Sequence, residues 1–314
     1  MTHTGTELEG LEEPHPEWFL DAMAAPRESR EVEVEGCPIR YLRWGDPGKP
    51  GVVFVHGFLA HARCFAFIAP LLARDFNVVA YDVSGYGDSG YRRDYSATVR
   101  ARELLAVAEH AGMAEASARP TIVAHSYGAT IAMDAVEQLG EHFGGLVICD
   151  VLMLRPERLR AFRAASSISA RQRSEHPPRR IYPDLKSAMT RFRLAPPQAV
   201  ECPYLLEYIA RHSLEPHPEG WTWKFHPSSF AVDARSDEWW LEQPGRFVAL
   251  EARKAVVYGE RSELFDADTE DYLRELGASR VPMVAIPNAR HHLMLDQPLA
   301  FASTLRALLA TWNP

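Results

Sequence analysis

Short apolar segments alternate with amphipathic segments along most of the chain, and this pattern predicts strands that alternate with helices. Stretches 31–36 and 39–45 have period-two patterning around a glycine-containing turn, which predicts a β-hairpin. The later apolar runs are rich in β-branched residues and are typical of buried parallel strands. These strands are predicted at 51–57, 77–82, 143–150, 254–259 and 281–287, and residues 120–128 are predicted to be a further strand that runs into a helix. Helical spacing of apolar residues predicts helices around 65–72 and at 97–113, 129–140 and 298–312.

The alternation stops between residues 152 and 247, a stretch rich in arginine, proline and aromatic residues. A structureless connection of that length is uncommon in a compact domain, so we interpret it as an inserted cap of helices. Strands alternating with helices elsewhere imply an α/β fold with a mostly parallel, doubly wound sheet. The predicted organisation is an N-terminal extension at 1–29, which Trp18, Phe19 and Leu20 dock onto the body, a core at 30–151 and 248–314, and the cap at 152–247.

Composition and charge narrow the functional classes. The 314 residues carry a formal net charge of −8, which argues against nucleic-acid binding because that requires clustered lysine and arginine. The four cysteines have no metal-ligand spacing and predict reduced, buried thiols. No apolar run reaches the ~18 residues of a membrane span, and the acidic N-terminus lacks the pattern of a signal peptide. We therefore expect a cytoplasmic protein that acts on a small-molecule substrate, without membrane or nucleic-acid partners, and its sequence is compatible with a homodimer.

A serine lies where a predicted strand turns into a predicted helix, in the string Ala124-His125-Ser126-Tyr127-Gly128. A tight turn at such a junction pushes the serine oxygen out of the sheet, and the helix N-terminus brings main-chain N–H groups beside it. Small residues two positions before and after the serine allow the strand and helix to pack closely, although alanine replaces the usual glycine at 124. The motif in this setting predicts a nucleophilic serine.

The string His56-Gly57-Phe58 closes the predicted strand at 51–57. A turn at this place puts a main-chain N–H group opposite the nucleophile, and acyl transfer needs two such donors for the developing oxyanion. We assign these donors to the main-chain N–H groups of Phe58 and Tyr127.

Two adjacent histidines, His291 and His292, follow the last predicted strand. A base for the serine has to come from elsewhere in the chain and be presented on a loop, so both are candidates. Adjacent side chains point in different directions, and only one of the two can serve.

The order of these motifs along residues 31–314 resembles the α/β-hydrolase superfamily: HG after a strand, AxSxG at a strand–helix junction, and histidine after the last strand. Residues 82–89, with the sequence DVSGYGDS, are similar to the superfamily's DxxGxGxS loop, which is usually structural. The stretch from His291 to Asp296-Gln297-Pro298 is similar to its H-x4-(E/D)-x-P ending. That register selects His291 over His292 as the base.

The resemblance leaves two candidates for the acid that orients the histidine. In much of the superfamily the acid follows the penultimate strand three residues after a glycine, and counting from Gly259 gives Ser262. A serine cannot take this role, but Glu263 lies one residue further on. Some members place the acid after the strand that follows the nucleophile helix, where this chain has Asp150. We favour Asp150 and keep Glu263 as the alternative.

These residues predict a serine hydrolase that cleaves a carboxylic ester or lactone of a small to medium organic substrate through an acyl-enzyme. They also leave open a C–C bond hydrolase or amidase, a lyase of the hydroxynitrile-lyase type, and a non-catalytic ligand-binding protein of the same fold. No metal-ligand cluster or phosphate-binding glycine loop is visible, so we expect no metal and no cofactor. The substrate pocket is predicted to contain His56, Gly57, His125 and Trp223.

The predicted cap carries an excess of basic residues. Between Arg155 and Arg193 there are eleven lysines or arginines and three acids. Such a run can bind an anionic substrate, but it is more often the solvated face of helices, and we favour the second interpretation.

Overall fold

The protein is described by a computed structural model that covers residues 15–114, 118–165, 179–226, 229 and 236–312. An eight-stranded sheet forms its centre. The strands of this sheet are β1 (Glu28–Val34), β2 (Cys37–Trp44), β3 (Gly51–Val55), β4 (Asn77–Tyr81), β5 (Thr121–His125), β6 (Gly145–Cys149), β9 (Lys254–Gly259) and β10 (Met283–Ile286). The helices around it are α1 (Glu17–Ala24), α2 (Ala69–Leu72), α3 (Ala97–His110), α4 (Tyr127–Leu139), α9 (Ala267–Leu273), α10 (Leu293–Asp296) and α11 (Pro298–Trp312).

The strand order of the sheet is β1-β2-β4-β3-β5-β6-β9-β10. Strands β1 and β2 are antiparallel to their neighbours. The other six strands of this sheet, which are β4, β3, β5, β6, β9 and β10, run parallel to one another. The predicted α/β fold with a mostly parallel sheet is therefore confirmed. The chain order reverses at β3, which pairs with both β4 and β5. Sites of open α/β sheets form at such reversals, outside the carboxyl ends of the strands.

Burial explains why these segments form strands. Every residue of β3, β4, β5 and β6 is buried, and apolar clusters cover both faces of the sheet. Parallel strands buried on both faces are near-continuous apolar runs, which is the pattern that the sequence shows. Each predicted parallel strand is present, and its ends fall within three residues of the predicted ones.

The hairpin β1–β2 has a two-residue turn at Glu35 and Gly36, with φ angles of 50° and 76°. Two successive positive φ angles are typical of the tight hairpin turn that matches strand twist. The predicted hairpin is therefore present, but β1 begins at Glu28 rather than at 31 and β2 at Cys37 rather than at 39.

The N-terminal segment docks through helix α1. Phe19 is fully buried and Trp18 packs against the same apolar cluster, whereas Leu20 is exposed. Two of the three predicted docking residues thus contact the body, and the rest of the predicted extension, residues 1–14, lies outside the described residues. None of the described helices is long and apolar enough to cross a membrane.

The stretch between β6 and β9 contains a two-stranded hairpin as well as helices. The hairpin consists of β7 (Leu214–His217) and β8 (Gly220–Trp223). The helices are α5 (Pro156–Ala165), α6 (Leu185–Met189), α7 (Pro203–His212) and α8 (Asp237–Ala249). The expectation of helices alone missed this hairpin, and the predicted end at 247 falls inside α8. We call the stretch from α5 to α8 the cap segment.

Several arginines in or next to the cap segment are paired with acids. Arg155 and Arg158 contact Asp268, Arg163 contacts Asp237, and Arg179 contacts Glu215. Partly exposed pairs of this kind contribute about 0–1 kcal/mol each, so their main effect is to balance local charge. This pairing fits a solvated helix face better than a large anion-binding surface.

Candidate active site

Ser126 occupies a strained turn between β5 and α4. Its φ and ψ angles are 53° and −124°, a region that residues with a side chain rarely adopt. The Ser126 N–H donates to the carbonyl oxygen of Cys149 at 2.9 Å, which ties the turn to the neighbouring strand. Strain of this kind costs on the order of 1–3 kcal/mol and is typical of functional sites.

Close packing explains the small residues around Ser126. A Cβ atom at Gly128 would lie 2.5 Å from the carbonyl oxygen of His56 and 2.6 Å from that of Val55, at the end of strand β3. Ala124 is fully buried, so the sheet accommodates its methyl group in place of a glycine. Of the two small positions, only Gly128 is therefore obligatory.

The substitution Gly128→Ala is expected to destabilise the fold by about 1–3 kcal/mol or more, since the methyl group meets fixed main-chain atoms. A matched control is Gly245→Ala, because Gly245 lies in α8 and a Cβ atom there would have no neighbour within 4 Å. That substitution should stabilise by roughly 0.5–1 kcal/mol through helix propensity. Urea unfolding of both variants checks the pair, and equal stabilities would contradict the packing argument.

A chain of hydrogen bonds links Ser126, His291 and Asp150. Nε2 of His291 lies 2.9 Å from Ser126 Oγ, and Nδ1 lies 2.8 Å from Asp150 Oδ1. A carboxylate only accepts, so Nδ1 carries the hydrogen and Nε2 presents its lone pair to the serine hydroxyl. His291 and Asp150 are buried, whereas Ser126 is half-buried and lines a small cavity. This arrangement can activate a serine oxygen for attack on a carbonyl carbon.

Asp150 follows β6 and receives hydrogen bonds from β9 and the loop after it. The Gly259 N–H donates to Oδ2 at 2.8 Å, and the Ser262 hydroxyl donates to Oδ1 at 2.6 Å. Ser262 occupies the position where the resemblance implied an acid. Its hydroxyl group instead donates to Asp150, which follows β6. Glu263 is exposed, and Asp150 occupies the place beside Nδ1 of His291 where Glu263 would have to lie.

His292 points away from the serine, as expected for adjacent side chains. Its Nε2 lies 3.2 Å from the carbonyl oxygen of Pro196, and its main-chain N–H donates to the Gln198 side chain. Asp296 stabilises the loop that carries both histidines, because its Oδ2 accepts from the Arg290 N–H at 2.7 Å. The structure therefore brings His291, and not His292, to Ser126.

The main-chain positions predicted to bind an oxyanion lie on both sides of Ser126. Tyr127 is the first residue of α4, so its main-chain N–H group lies at the helix N-terminus directly after Ser126. Phe58 follows Gly57, and a Cβ atom at Gly57 would lie 3.2 Å from the Ser126 Cβ. The chain between β3 and Phe58 therefore passes directly beside the serine, and the rings of Phe58 and Tyr127 pack edge to face at 6.2 Å.

An apolar cavity opens beside Ser126 and has a free volume of about 40 Å³. A water molecule takes about 30 Å³, so the cavity as it stands is too small for an organic ester. Part of its wall comes from the cap segment, and the other walls come from the loop after β3 and from α10. The cap residues on the wall are Phe192, Arg193, Leu194, Ala195 and Ile209.

Comparison with known proteins identifies the family. Residues 52–304 match the model of the Alpha/beta hydrolase family. The chain belongs to this family. Over 128 residues it is 30% identical to the uncharacterized hydrolase YugF of Bacillus subtilis, covering 40% of this chain and 45% of that protein. Over 115 residues it is 33% identical to a 1H-3-hydroxy-4-oxoquinoline 2,4-dioxygenase of Pseudomonas putida, covering 35% and 41%. The chain thus spans less than half the length of these curated relatives.

Solved structures show the same fold over about nine-tenths of the chain. E-2-(acetamidomethylene)succinate hydrolase superposes with a TM-score of 0.71 at 19% identity, covering 91% of this chain and 100% of that one. A thioesterase domain from the curacin biosynthetic pathway superposes with a TM-score of 0.66 at 22% identity, covering 91% and 99%. At these identities the likeness concerns the fold of this alpha/beta hydrolase and not its substrate.

Of the residues predicted to form the substrate pocket, His56, Gly57 and His125 line the cavity of this alpha/beta hydrolase, and Trp223 does not. Trp223 lies in β8, and its ring packs behind Phe192 at 6.2 Å between ring centres. The expectation for Trp223 was based on aromatic composition, which does not reveal which side of the cap segment a ring faces.

The histidines around the cavity are held in the neutral form. Burial lowers the pKa of His56 to about 4 and that of His292 to about 3, and it lowers the pKa of His125 well below its usual value. His56 donates from Nδ1 to the Gly57 oxygen and accepts from the Val83 N–H at Nε2. These contacts fix the turn after β3 and make His56 a structural residue of the cavity wall.

Burial also lowers the pKa of His61 to about 3, from an ordinary value of 6.5. Below pH 6.5 the unfolded chain therefore binds a proton at His61 that the folded protein excludes until about pH 3. The stability due to neutral His61 is complete above pH 6.5 and is lost as the pH falls, at about 1.4 kcal/mol per pH unit. Urea unfolding between pH 6 and 4 measures how the free energy of unfolding changes with pH. His61→Gln should reduce this slope by about 1.4 kcal/mol per pH unit, which corresponds to one proton. His142→Gln, an exposed control, should leave the slope unchanged.

The DVSGYGDS loop supports this edge of the sheet. Oδ1 of Asp82 accepts from the Ala62 N–H at 2.6 Å, and Oδ2 accepts from the Asp88 N–H at 2.9 Å. A Cβ atom at Gly87, where φ is 55°, would lie 2.3 Å from the Asp82 carboxyl group. These contacts agree with a structural role for the loop.

Proposed function

We propose that the protein hydrolyses a carboxylic ester or lactone through an acyl-enzyme on Ser126. The observation that carries the proposal is the hydrogen-bonded series from Asp150 through His291 to Ser126, at 2.8 and 2.9 Å, on the wall of an apolar cavity. The strained turn supports it, because Ser126 would not adopt this conformation unless its neighbours held it there.

In the proposed mechanism, Ser126 Oγ attacks the substrate carbonyl carbon while Nε2 of His291 accepts its proton. The main-chain N–H groups of Phe58 and Tyr127 bind the oxyanion of the tetrahedral intermediate. The His291 imidazolium, stabilised by Asp150, then protonates the leaving oxygen, and the C–O bond breaks to leave an acyl-enzyme. A water molecule that gives its proton to His291 attacks the acyl carbon, and Ser126 is released with the acid product.

Substrate entry requires the cavity to widen. Its present free volume of about 40 Å³ is far below the ~150 Å³ of a cavity that binds benzene. Phe192 and Leu194 of the cap segment form part of the wall, and their displacement would enlarge it without disturbing the sheet. The apolar walls favour an acyl group or alcohol of hydrocarbon character.

Burst kinetics test this proposal. With p-nitrophenyl acetate or butyrate, we expect rapid release of about one nitrophenol per chain followed by slower steady turnover, because an acyl-enzyme accumulates. The same assay with a lactone, an anilide and a vinylogous 1,5-diketone separates ester hydrolysis from lactone, amide and C–C bond cleavage. If neither the nitrophenyl esters nor the lactone are turned over, the proposal is contradicted, even where the anilide or the diketone is cleaved.

A second candidate follows from the match to a hydroxy-oxoquinoline dioxygenase, which reaches 33% identity over 115 residues. The buried His291–Asp150 pair can also act as a general base on a substrate hydroxyl group. Oxygen uptake with 3-hydroxy-4-oxoquinoline, in the absence of any burst with nitrophenyl esters, would favour that chemistry over ester hydrolysis.

A further inference from the structure

Three histidine rings meet at the wall of the Ser126 cavity. The ring centre of His291 lies 4.7 Å from that of His125 and 4.8 Å from that of His292, and the last two are 5.7 Å apart. One ring nitrogen of each residue lies within 4.8 Å of those of the other two. His125 and His292 both line the cavity, yet the proposed mechanism uses neither side chain.

Hydrogen bonds determine which nitrogen of these two rings carries a lone pair. Nε2 of His125 lies 2.9 Å from the carbonyl oxygen of His291, and Nε2 of His292 lies 3.2 Å from that of Pro196. A carbonyl oxygen only accepts, so each Nε2 carries the ring hydrogen and each Nδ1 keeps the lone pair of the neutral ring. No hydrogen bond to either Nδ1 is present among the described residues. The cavity wall therefore holds two imidazole nitrogens that are able to bind a metal.

Neutral imidazole nitrogens are preferred ligands of Zn²⁺ and other late transition ions. Zinc–nitrogen bonds of about 2.0–2.1 Å place the nitrogens of a tetrahedral site about 3.4 Å apart. The three ring nitrogens would thus have to approach one another by up to about 1.4 Å, through rotation of the side chains. The described residues on the cavity wall include no carboxylate, and Mg²⁺ and Ca²⁺ prefer oxygen ligands.

We infer that His125, His292 and His291 form a site for a borderline-soft divalent cation such as Zn²⁺, and that this ion reversibly inhibits the enzyme. The inhibition rests on the proposed function, whereas the binding does not. Nε2 of His291 becomes the third ligand and exchanges its contact with Ser126 for a bond to the metal. The histidine then cannot accept the serine proton, and the ion occupies the space into which a substrate carbonyl would enter.

Calorimetric titration with ZnCl2 tests the binding directly, with wild type, His292→Gln and His142→Gln compared. The amide group introduced by His292→Gln can still donate to the Pro196 oxygen, but it lacks the imidazole ligand. His142 is exposed and serves as the matched surface control. We expect one zinc ion per chain for wild type and for His142→Gln, and at least 10-fold weaker binding for His292→Gln. If His292→Gln does not fold, His292→Asn replaces it with the same expected loss.

Inhibition of p-nitrophenyl butyrate hydrolysis tests the consequence. Zinc should inhibit wild type, excess EDTA should restore the rate, and the same concentration of MgCl2 should have no effect. The rate of each protein is normalised to its own zinc-free rate. The zinc concentration for half-inhibition should then be at least 10-fold higher for His292→Gln than for wild type. Equal zinc binding by wild type and His292→Gln would overturn the inference. If wild type hydrolyses no ester, the proposed function fails, and calorimetry still decides the metal site.

Discussion

Replacing Ser126 by alanine is expected to lower kcat for nitrophenyl ester hydrolysis by roughly 10⁴- to 10⁶-fold. The substitution removes the oxygen that attacks the carbonyl carbon in the proposed mechanism, and it leaves His291 without its partner at 2.9 Å. The remaining rate would come from the oxyanion-binding N–H groups and from substrate binding alone. Initial rates with p-nitrophenyl butyrate at high enzyme concentration measure the effect.

Two controls accompany this experiment. Ser279 is exposed and far from the chain of hydrogen bonds, so Ser279→Ala should keep the wild-type rate. Thermal unfolding of Ser126→Ala should show an intact fold, since only a hydroxyl group on the cavity wall is lost. A Ser126→Ala rate within about 100-fold of wild type would rule out the serine as the nucleophile.

The substitution Asp150→Asn is expected to lower kcat by about 10³- to 10⁴-fold while leaving the fold intact. Gly259 N–H and Ser262 Oγ both donate to the carboxylate. The Gly259 N–H cannot accept, so it keeps the amide oxygen of an asparagine at the Oδ2 position, and the amide NH2 takes the Oδ1 position that faces Nδ1 of His291. The Ser262 hydroxyl, which can rotate, then accepts from the NH2 instead of donating. The ring would then carry its hydrogen on Nε2, where it cannot accept the serine proton.

Glu263→Gln is the matched control for Asp150→Asn. The exposed Glu263 side chain makes no contact with His291, whose Nδ1 is occupied by Asp150. We expect a rate within 2-fold of wild type for Glu263→Gln. Ser262→Ala removes one hydrogen bond to the carboxylate of Asp150, so its loss of kcat should be smaller than that of Asp150→Asn. The reverse ranking, with Glu263→Gln the more damaging change, would assign the acid to Glu263.

Much of the core could be predicted because burial constrains the sequence directly. Strands β3 to β6 are buried on both faces, and such strands have to be short, apolar and β-branched. The cap segment is harder to predict, since its strands β7 and β8 have only four residues each and include proline, histidine and exposed positions. Local pattern does not distinguish such strands from loops.

The candidate site shows the same division. Strand ends that meet at a reversal of a parallel sheet bring Phe58, Ser126 and Asp150 to one edge, and this follows from strand order alone. The sequence shows a serine, Ser262, at the position where an acid was expected. Only the structure shows that this serine donates a hydrogen bond to Asp150, at 2.6 Å. The lone pairs of His125 and His292 depend on the carbonyl groups they face, which no sequence pattern specifies.

Covalent labelling shows directly whether Ser126 is the nucleophile. A fluorophosphonate probe forms a stable adduct with an activated serine, and digestion followed by mass spectrometry locates it. We predict one adduct per chain on Ser126, its loss in Ser126→Ala, and markedly slower labelling of Asp150→Asn than of Glu263→Gln. If the wild-type protein hydrolyses an ester but its adduct lies on another residue, or no adduct forms, Ser126 is not the nucleophile.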